Sequence, residues 1–498
     1  MAGLLPMSET YELTHDISQQ RQESISGLLI SGLLLGLIMS VFLYVVARPP
    51  AAFGLRATLV PFLPILVMPM ILIGIRRPYT ALIIACLLAI EDPRLNATLG
   101  DIQQKGYAMW PLYVGVAVSP SNIFLVLIAI LSFIWPSHRR IPRPLLAYAL
   151  VIIVVGMPGL LMAKDFPMAF SAWLLHVVVP VIICVNSVRS IKDPAALHRL
   201  WLLLLIGILV PAVYHSVTRL GMSKYSRSAI ANQMTPYALG LIPVAFYWAT
   251  RQSKGWQRLV GAICAVAFVV VIWISGSRTG AVMALLYLTW RGLRSIAWLA
   301  RRPGVLAVSA LVVILLLAYV TSSLAFQARE HTLLSRFGAL AQTGISGTPR
   351  WHLWIASSEL IKEDPIFGIG LNNTRVLLDY SSSHQIILSV WLEMGFLGLL
   401  AFLGICIYYI SSGFAMLWRL PSGDRKNDVQ CTLDMFMLTF AYLQVSGYLY
   451  GTFHTSGTFY FHTLLACGFL TRCFAREEYS YVPVEPEALL VRDEVWVY

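Results

Sequence analysis

His384 and four arginines, Arg219, Arg227, Arg278 and Arg350, are the residues of this chain whose types and settings could do chemistry. An unperturbed imidazole titrates near pH ~6.5, so a neutral ring can take a proton from a hydroxyl without a metal. The same histidine could instead cap the helix that starts at Gln385, and spacing alone leaves both readings open. On a continuous helix Leu388, Trp391 and Gly395 would share its face while Glu393 would point the other way, which makes Glu393 a poor partner. Arg278 opens the run Thr279 to Trp290, roughly 18 Å of helix before Arg291, against a hydrocarbon core of ~30 Å. Unless Arg291 and Arg294 reach far to the surface, Arg278 lies below the opposite one. A guanidinium there calls for an anion or a water-filled cavity; capping by backbone carbonyls is the alternative. Arginine presents a planar fork of donors that matches phosphate oxygens in pairs, which an ammonium cannot do. Taken singly, Arg219, Arg227 and Arg350 read as surface or headgroup-binding residues; with a deep Arg278 they resemble a diphosphate clamp. His215, His331, His352 and His454 lack acidic or thiol partners at ligand spacing, so no metal site and no cofactor are expected. Glu359, Glu363 and Asp364 could supply a carboxylate base but read as the solvated face of a surface helix.

These residues need a scaffold, and composition names its class. Of 498 residues, 58% are hydrophobic and 12% charged, and the mean hydropathy is +0.73. Such a chain is an all-α, polytopic transmembrane bundle. The net charge of +12 therefore concerns topology. No segment outside the membrane is long and basic enough for nucleic acid, which is excluded as a partner. The seven cysteines lie in or beside apolar runs without paired spacing and read as small buried hydrophobes. Residues 1–23 are polar and mainly acidic, so no secretory signal peptide is expected there.

About 12–14 spans are expected. The candidates lie near 25–47, 57–75, 79–91, 121–136, 144–163, 168–187, 200–218, 235–250, 259–275, 279–297, 304–325, 386–412, 430–450 and 457–472. This divides the chain into a cytoplasmic N-terminus (1–24), a transmembrane bundle (25–325), a periplasmic loop (326–384), the rest of the bundle (385–472) and a cytoplasmic tail (473–498). Lys and Arg concentrate in the segments that are cytoplasmic if both termini are inside. Against that bias the outer segments carry Arg219, Lys224, Arg227, Arg278, Arg329, Arg336, Arg350, Lys362 and Arg375, which suggests an anionic ligand on the outer side. Two outer segments are long, 92–120 and 326–384. The first has little charge and reads as a loop with interfacial aromatics; the second is the candidate functional loop. Within it Thr348-Pro349 predicts a helix start, the helix running to about Lys362 and stopping before Pro365. Trp351, Trp354, Ile355, Ser358 and Ile361 would share a face of that helix at the membrane surface.

On these residues the chain resembles the O-antigen ligase and Wzy-type polymerase superfamily of bacterial envelope glycosyltransferases. His384-Gln385, then nine residues, Gly395, two residues and Gly398 fit the ligases' histidine-to-glycine pattern. Arg350 with Trp354, followed by Pro365-Ile366-Phe367-Gly368-Ile369-Gly370, is similar to the family's arginine, tryptophan and Pro-Leu-x-Gly-x-Gly run. Ser275-Gly276-Ser277-Arg278-Thr279-Gly280 is similar to its Ser-Arg helix start, and Arg227 with Asn232 sits where members place a similar outer loop. The resemblance spans roughly 200–412. It departs at Val282, where the ligases often have leucine four residues after the arginine, and the subgroup stays open.

The resemblance implies a metal-independent, inverting transfer of a glycan from an undecaprenyl-diphosphate-linked donor to a hydroxyl acceptor at the periplasmic face of the bacterial inner membrane. His384 would then be the base, and Arg278, Arg350, Arg227 and Arg219 would hold the diphosphate. The acceptor would be a glycan or lipid A core. Partners would include membrane lipids, with a chain-length regulator and export proteins in the polymerase case. A protein O-oligosaccharyltransferase is an alternative within the family, although nothing marks a protein-acceptor groove. A lipid-linked oligosaccharide flippase is the alternative from another class. It would need polar residues facing a central cavity near mid-membrane, where residues such as His176 and Asp434 are scattered, and paired broken helices, which are not seen.

Overall fold

The computed structural model describes residues 25–47, 63–77, 80–85 except 83, 120–161, 163, 166–219, 224–251, 255–274, 277–300, 349–371, 373, 374, 377, 385–446 and 455–480. All regular structure among them is helical. In order these are α1 (Ile25–Ala47), α2 (Leu63–Arg76), α3 (Pro120–Leu131), α4 (Arg143–Leu161), α5 (Phe166–Ala172), α6 (Val179–Ser190), α7 (Pro194–Arg219), α8 (Lys224–Arg251), α9 (Gly255–Ile274), α10 (Arg278–Ala300), α11 (Pro349–Glu363), α12 (Ile386–Arg419), α13 (Asp424–Ser446) and α14 (Thr455–Ser480). Helices are the expected form in hydrocarbon, because a helix satisfies its own backbone donors and acceptors. Four stretches among the described residues are long and apolar enough to cross a membrane: Arg143–Leu161, Trp173–Ser190, Gly255–Ile272 and Ile386–Arg419. The expected spans at 79–91 and 304–325 lie wholly or largely outside the described residues.

The chain forms two compact units. In the first, α1 packs on α2, and the Trp135 Nε1 donates to the Gly74 carbonyl (2.9 Å), tying the end of α3 to α2. The second unit holds α4 to α14. Its core is aromatic: Tyr409 lies 4.3 Å, centroid to centroid, from Phe436, and Phe461 packs on both Phe402 and Phe436. The described cysteines of this unit are free thiols, buried except for Cys473.

Contacts within the second unit sort the helix ends into two sets. At one end, Arg139 donates to the carbonyls of Ile191 and Lys192 and pairs with Glu477. Nearby His198 of α7 and Tyr247 of α8 both bond Asp428 of α13, at 3.0 and 2.8 Å. At the other end lie the close of α4, the starts of α10, α12 and α14, and the close of α13.

Three departures from the expected elements have physical causes. Between α5 and α6 the chain takes a π-helical turn, Trp173–Val178, where Trp173 lies over Gly156 of α4 and donates to the Ile153 carbonyl (3.0 Å). The last helix runs past residue 472 to Ser480, and its extension carries the Glu477 that pairs with Arg139. And α10 continues through Arg291 to Ala300, about 34 Å of helix. Arg291 lies 4.0 Å from Asp434 of α13, whose carboxylate also takes a hydrogen bond from Tyr287 (3.4 Å). A paired arginine can stay inside the bundle, so the length of α10 no longer forces Arg278 below the surface.

Candidate functional site

Arg278 is the first residue of α10, and the sequence around it builds that start. Ser277 is buried, and its Oγ accepts from the Gly280 N–H (3.2 Å), as an N-cap serine does. The Ala281 N–H closes the first turn onto the Ser277 carbonyl (2.9 Å). A methyl group on Gly280 would come within 2.4 Å of Thr235 and 3.1 Å of Ile272, so this glycine lets the start of α10 lie against α8 and the end of α9. The Ser277 hydroxyl also meets the Tyr442 hydroxyl of α13 at 3.3 Å.

The Pro365–Gly370 run closes onto α12. That helix is not continuous, because Gly395 has φ +66°, a left-handed value that glycine adopts at no steric cost. The break frees backbone groups, and the loop takes them up. Ile369 N–H donates to the Leu392 carbonyl (2.8 Å), and Phe396 N–H is shared between the carbonyls of Pro365 (2.9 Å) and Ile366 (3.1 Å). The Trp391 indole adds a bond to the Pro365 carbonyl (3.1 Å). A side chain at Gly395 would strike the Ile366 carbonyl and come within 2.6 Å of Phe367; one at Gly368, φ +73°, would come within 2.6 Å of Leu392 O. Gly370 meets Gly159 of α4 in the same way. Four glycines thus allow three backbones to touch.

This corrects the face assignment made for a continuous helix. The segment Ile386–Met394 is a short helix of its own, and Ile386 follows Gln385, whose backbone is extended (φ −149°, ψ 122°). Gln385 is the cap: its side-chain oxygen accepts from the Leu388 N–H (2.5 Å). Its amide nitrogen donates to Gln444 Oε1 of α13 (3.4 Å). Glu393 is buried and takes a hydrogen bond from the Thr374 hydroxyl (3.0 Å), anchoring the chain that leads from Gly370 toward the start of α12.

Arg350 is the second residue of α11, which begins at Pro349 and ends at Glu363, ahead of Pro365. Leu353, Ser357 and Ile361 form its buried face, whereas Trp351 and Ile355 are exposed apolar residues. The Trp354 indole N–H is buried with no hydrogen-bond partner among the described residues. Arg219 closes α7 and Arg227 lies in the first turn of α8. For these four arginines the helix path is described and the side chain is not. His384 lies outside the described residues.

What the structure does tie to one helix end, on different faces of it, are two of their neighbours. Ser277, beside Arg278, bonds Tyr442; Gln385, beside His384, bonds Gln444. Both partners stand at the C-terminal end of α13. Sequence reading missed Tyr442 and Gln444, because neither belongs to a motif and a glutamine late in an apolar helix carries no signal of its own.

Residues 262–403 match a family model described as O-antigen ligase, which bears out the resemblance to the O-antigen ligase and Wzy-type polymerase superfamily. The matched stretch contains Arg278, Arg350, His384 and the Gly368, Gly370 and Gly395 contacts, and excludes Arg219 and Arg227. No curated protein matches the chain.

Proposed function

Taking as premise a membrane protein whose residues 262–403 resemble an O-antigen ligase, we propose that it moves a glycan from undecaprenyl diphosphate to a hydroxyl acceptor, as a ligase or a polysaccharide polymerase. The observation that supports this most is that Ser277 and Gln385 both bond to the C-terminal end of α13, at Tyr442 and Gln444 on different faces of that helix. It ties the helix start carrying Arg278 and the cap following His384 to one end of one helix. At that end, which the charge rule assigns to the periplasm, the acceptor hydroxyl loses its proton to His384 as it attacks the anomeric carbon from the face opposite the diphosphate. The glycosidic bond to the diphosphate breaks, and the new bond inverts the configuration. Arg278, with Arg350, Arg227 and Arg219, stabilises the negative charge that grows on the leaving diphosphate, where preorganised donors contribute most. No nucleotide sugar enters.

Two observations weigh against the flippase reading. Asp434, half-buried, is engaged by Arg291 and Tyr287, and the buried His462 by Tyr148 (3.1 Å) and the Thr458 carbonyl (2.7 Å), so these polar groups are partnered in place. The break in α12 is filled by the protein's own loop.

The test is His384→Ala in the native host. Ligated glycan or polymer disappears and the lipid-linked donor accumulates. Wild-type product from that variant removes the role given to His384.

A further inference from the structure

Among the described residues, the side-chain amide of Gln444 is held by one end only. Gln385 Oε1 is committed to the Leu388 N–H, which fixes the sense of the Gln385 amide and makes its nitrogen the donor to Gln444 Oε1. The Gln444 Nε2 is therefore the outward end of a two-residue chain. It is buried and has no partner among the described residues. A buried amide donor left without an acceptor is destabilising by ~1–3 kcal/mol. The donor stands two residues from Tyr442, the partner of the serine that caps the Arg278 helix, and one bond from the glutamine that follows His384.

We propose that Gln444 is a substrate-binding residue: its Nε2 donates to an oxygen of the lipid-linked donor, on the diphosphate or on the first sugar, and its Oε1 holds Gln385 in place. This rests on the reading of the site given above and adds to it a ligand group outside the stretch that matches the family. Two substitutions separate binding from mere support of Gln385. Gln444→Met removes both amide functions at similar length. Gln444→Glu keeps an oxygen to accept from Gln385 and replaces the donor with an acceptor.

Undecaprenyl diphosphate is the probe, bound at pH 8.5 to the purified full-length protein in nanodiscs, beside product formation by each variant in cells. If the diphosphate oxygen is the partner, both variants lose at least tenfold in affinity for the probe. If the sugar oxygen is the partner, probe affinity holds while product falls at least tenfold in both. Either result supports the donor role. A Glu variant that matches wild type in binding and product while the Met variant fails shows that Gln444 only supports Gln385, and overturns the proposal. So does wild-type behaviour of both. The underlying reading fails separately, by full product from His384→Ala.

Discussion

Gly395 shows at the scale of one residue why the histidine-to-glycine spacing matters. Its φ of +66° is disfavoured by about 1–2 kcal/mol for a residue with a Cβ, and that Cβ would also drive into the Ile366 carbonyl. Gly395→Ala therefore lowers the thermal midpoint and abolishes product. Gly404→Ala, in the same helix with nothing within 4 Å, leaves both unchanged or gains about 1 kcal/mol in stability. Equal behaviour of the two variants in a thermal unfolding assay contradicts the structural role of Gly395. Arg278→Lys keeps the charge and loses the paired fork, so product falls by more than tenfold if two phosphate oxygens are held together. Near-normal donor binding by that variant counts against the clamp. Much of this scale was legible in the sequence: the glycines and Ser277 stand in patterns whose residue types already imply turns and caps. Gln444 and Glu393 were not, because their meaning comes from what a distant stretch places against them.

Each of the four candidate arginines lies in the first or last turn of a helix, and that turn is what can be perturbed. Ser277→Ala removes the cap of α10 and its contact with Tyr442. The loss in stability is about 1 kcal/mol. Product falls further than folded protein does, because the first turn carries Arg278. Ser277→Thr, which keeps the hydroxyl, restores both. Comparable losses in product and in folded protein, measured by immunoblot and by labelled polymer, mark the cap as structural alone. The starts of α11 at Pro349 and α12 at Ile386 were readable from Thr-Pro and from the polar-to-apolar change at Gln385. The division of α12 was not, since a glycine in an apolar run more often packs than breaks. The break also sets lengths: Phe396–Arg419 gives about 36 Å of helix, enough to cross a ~30 Å core, which leaves Ile386–Met394 to the site.

At the scale of the whole molecule the two ends of the second unit have different tasks. The end that carries Asp428 is a staple: His198, Tyr247 and Arg425 all reach a carboxylate that is 2% exposed. Asp428→Ala strips those partners of their anion and destabilises by about 3–5 kcal/mol. If the site lies at the far end, as proposed, turnover per folded molecule stays at the wild-type level; a selective loss of turnover contradicts that division of labour. The helical class and the positions of most helices followed from hydropathy. The packing partners did not, since spans of similar composition are interchangeable until their small residues and polar contacts select neighbours. The account comes down to one place at the end of α13 where phosphate, guanidinium and imidazole meet. An experimental structure of the protein in nanodiscs with undecaprenyl diphosphate measures it directly. The account predicts the diphosphate against the first turn of α10, in reach of Arg278 and beside the ring of His384. Diphosphate bound elsewhere, or that ring and that guanidinium on opposite ends of the bundle, contradicts it.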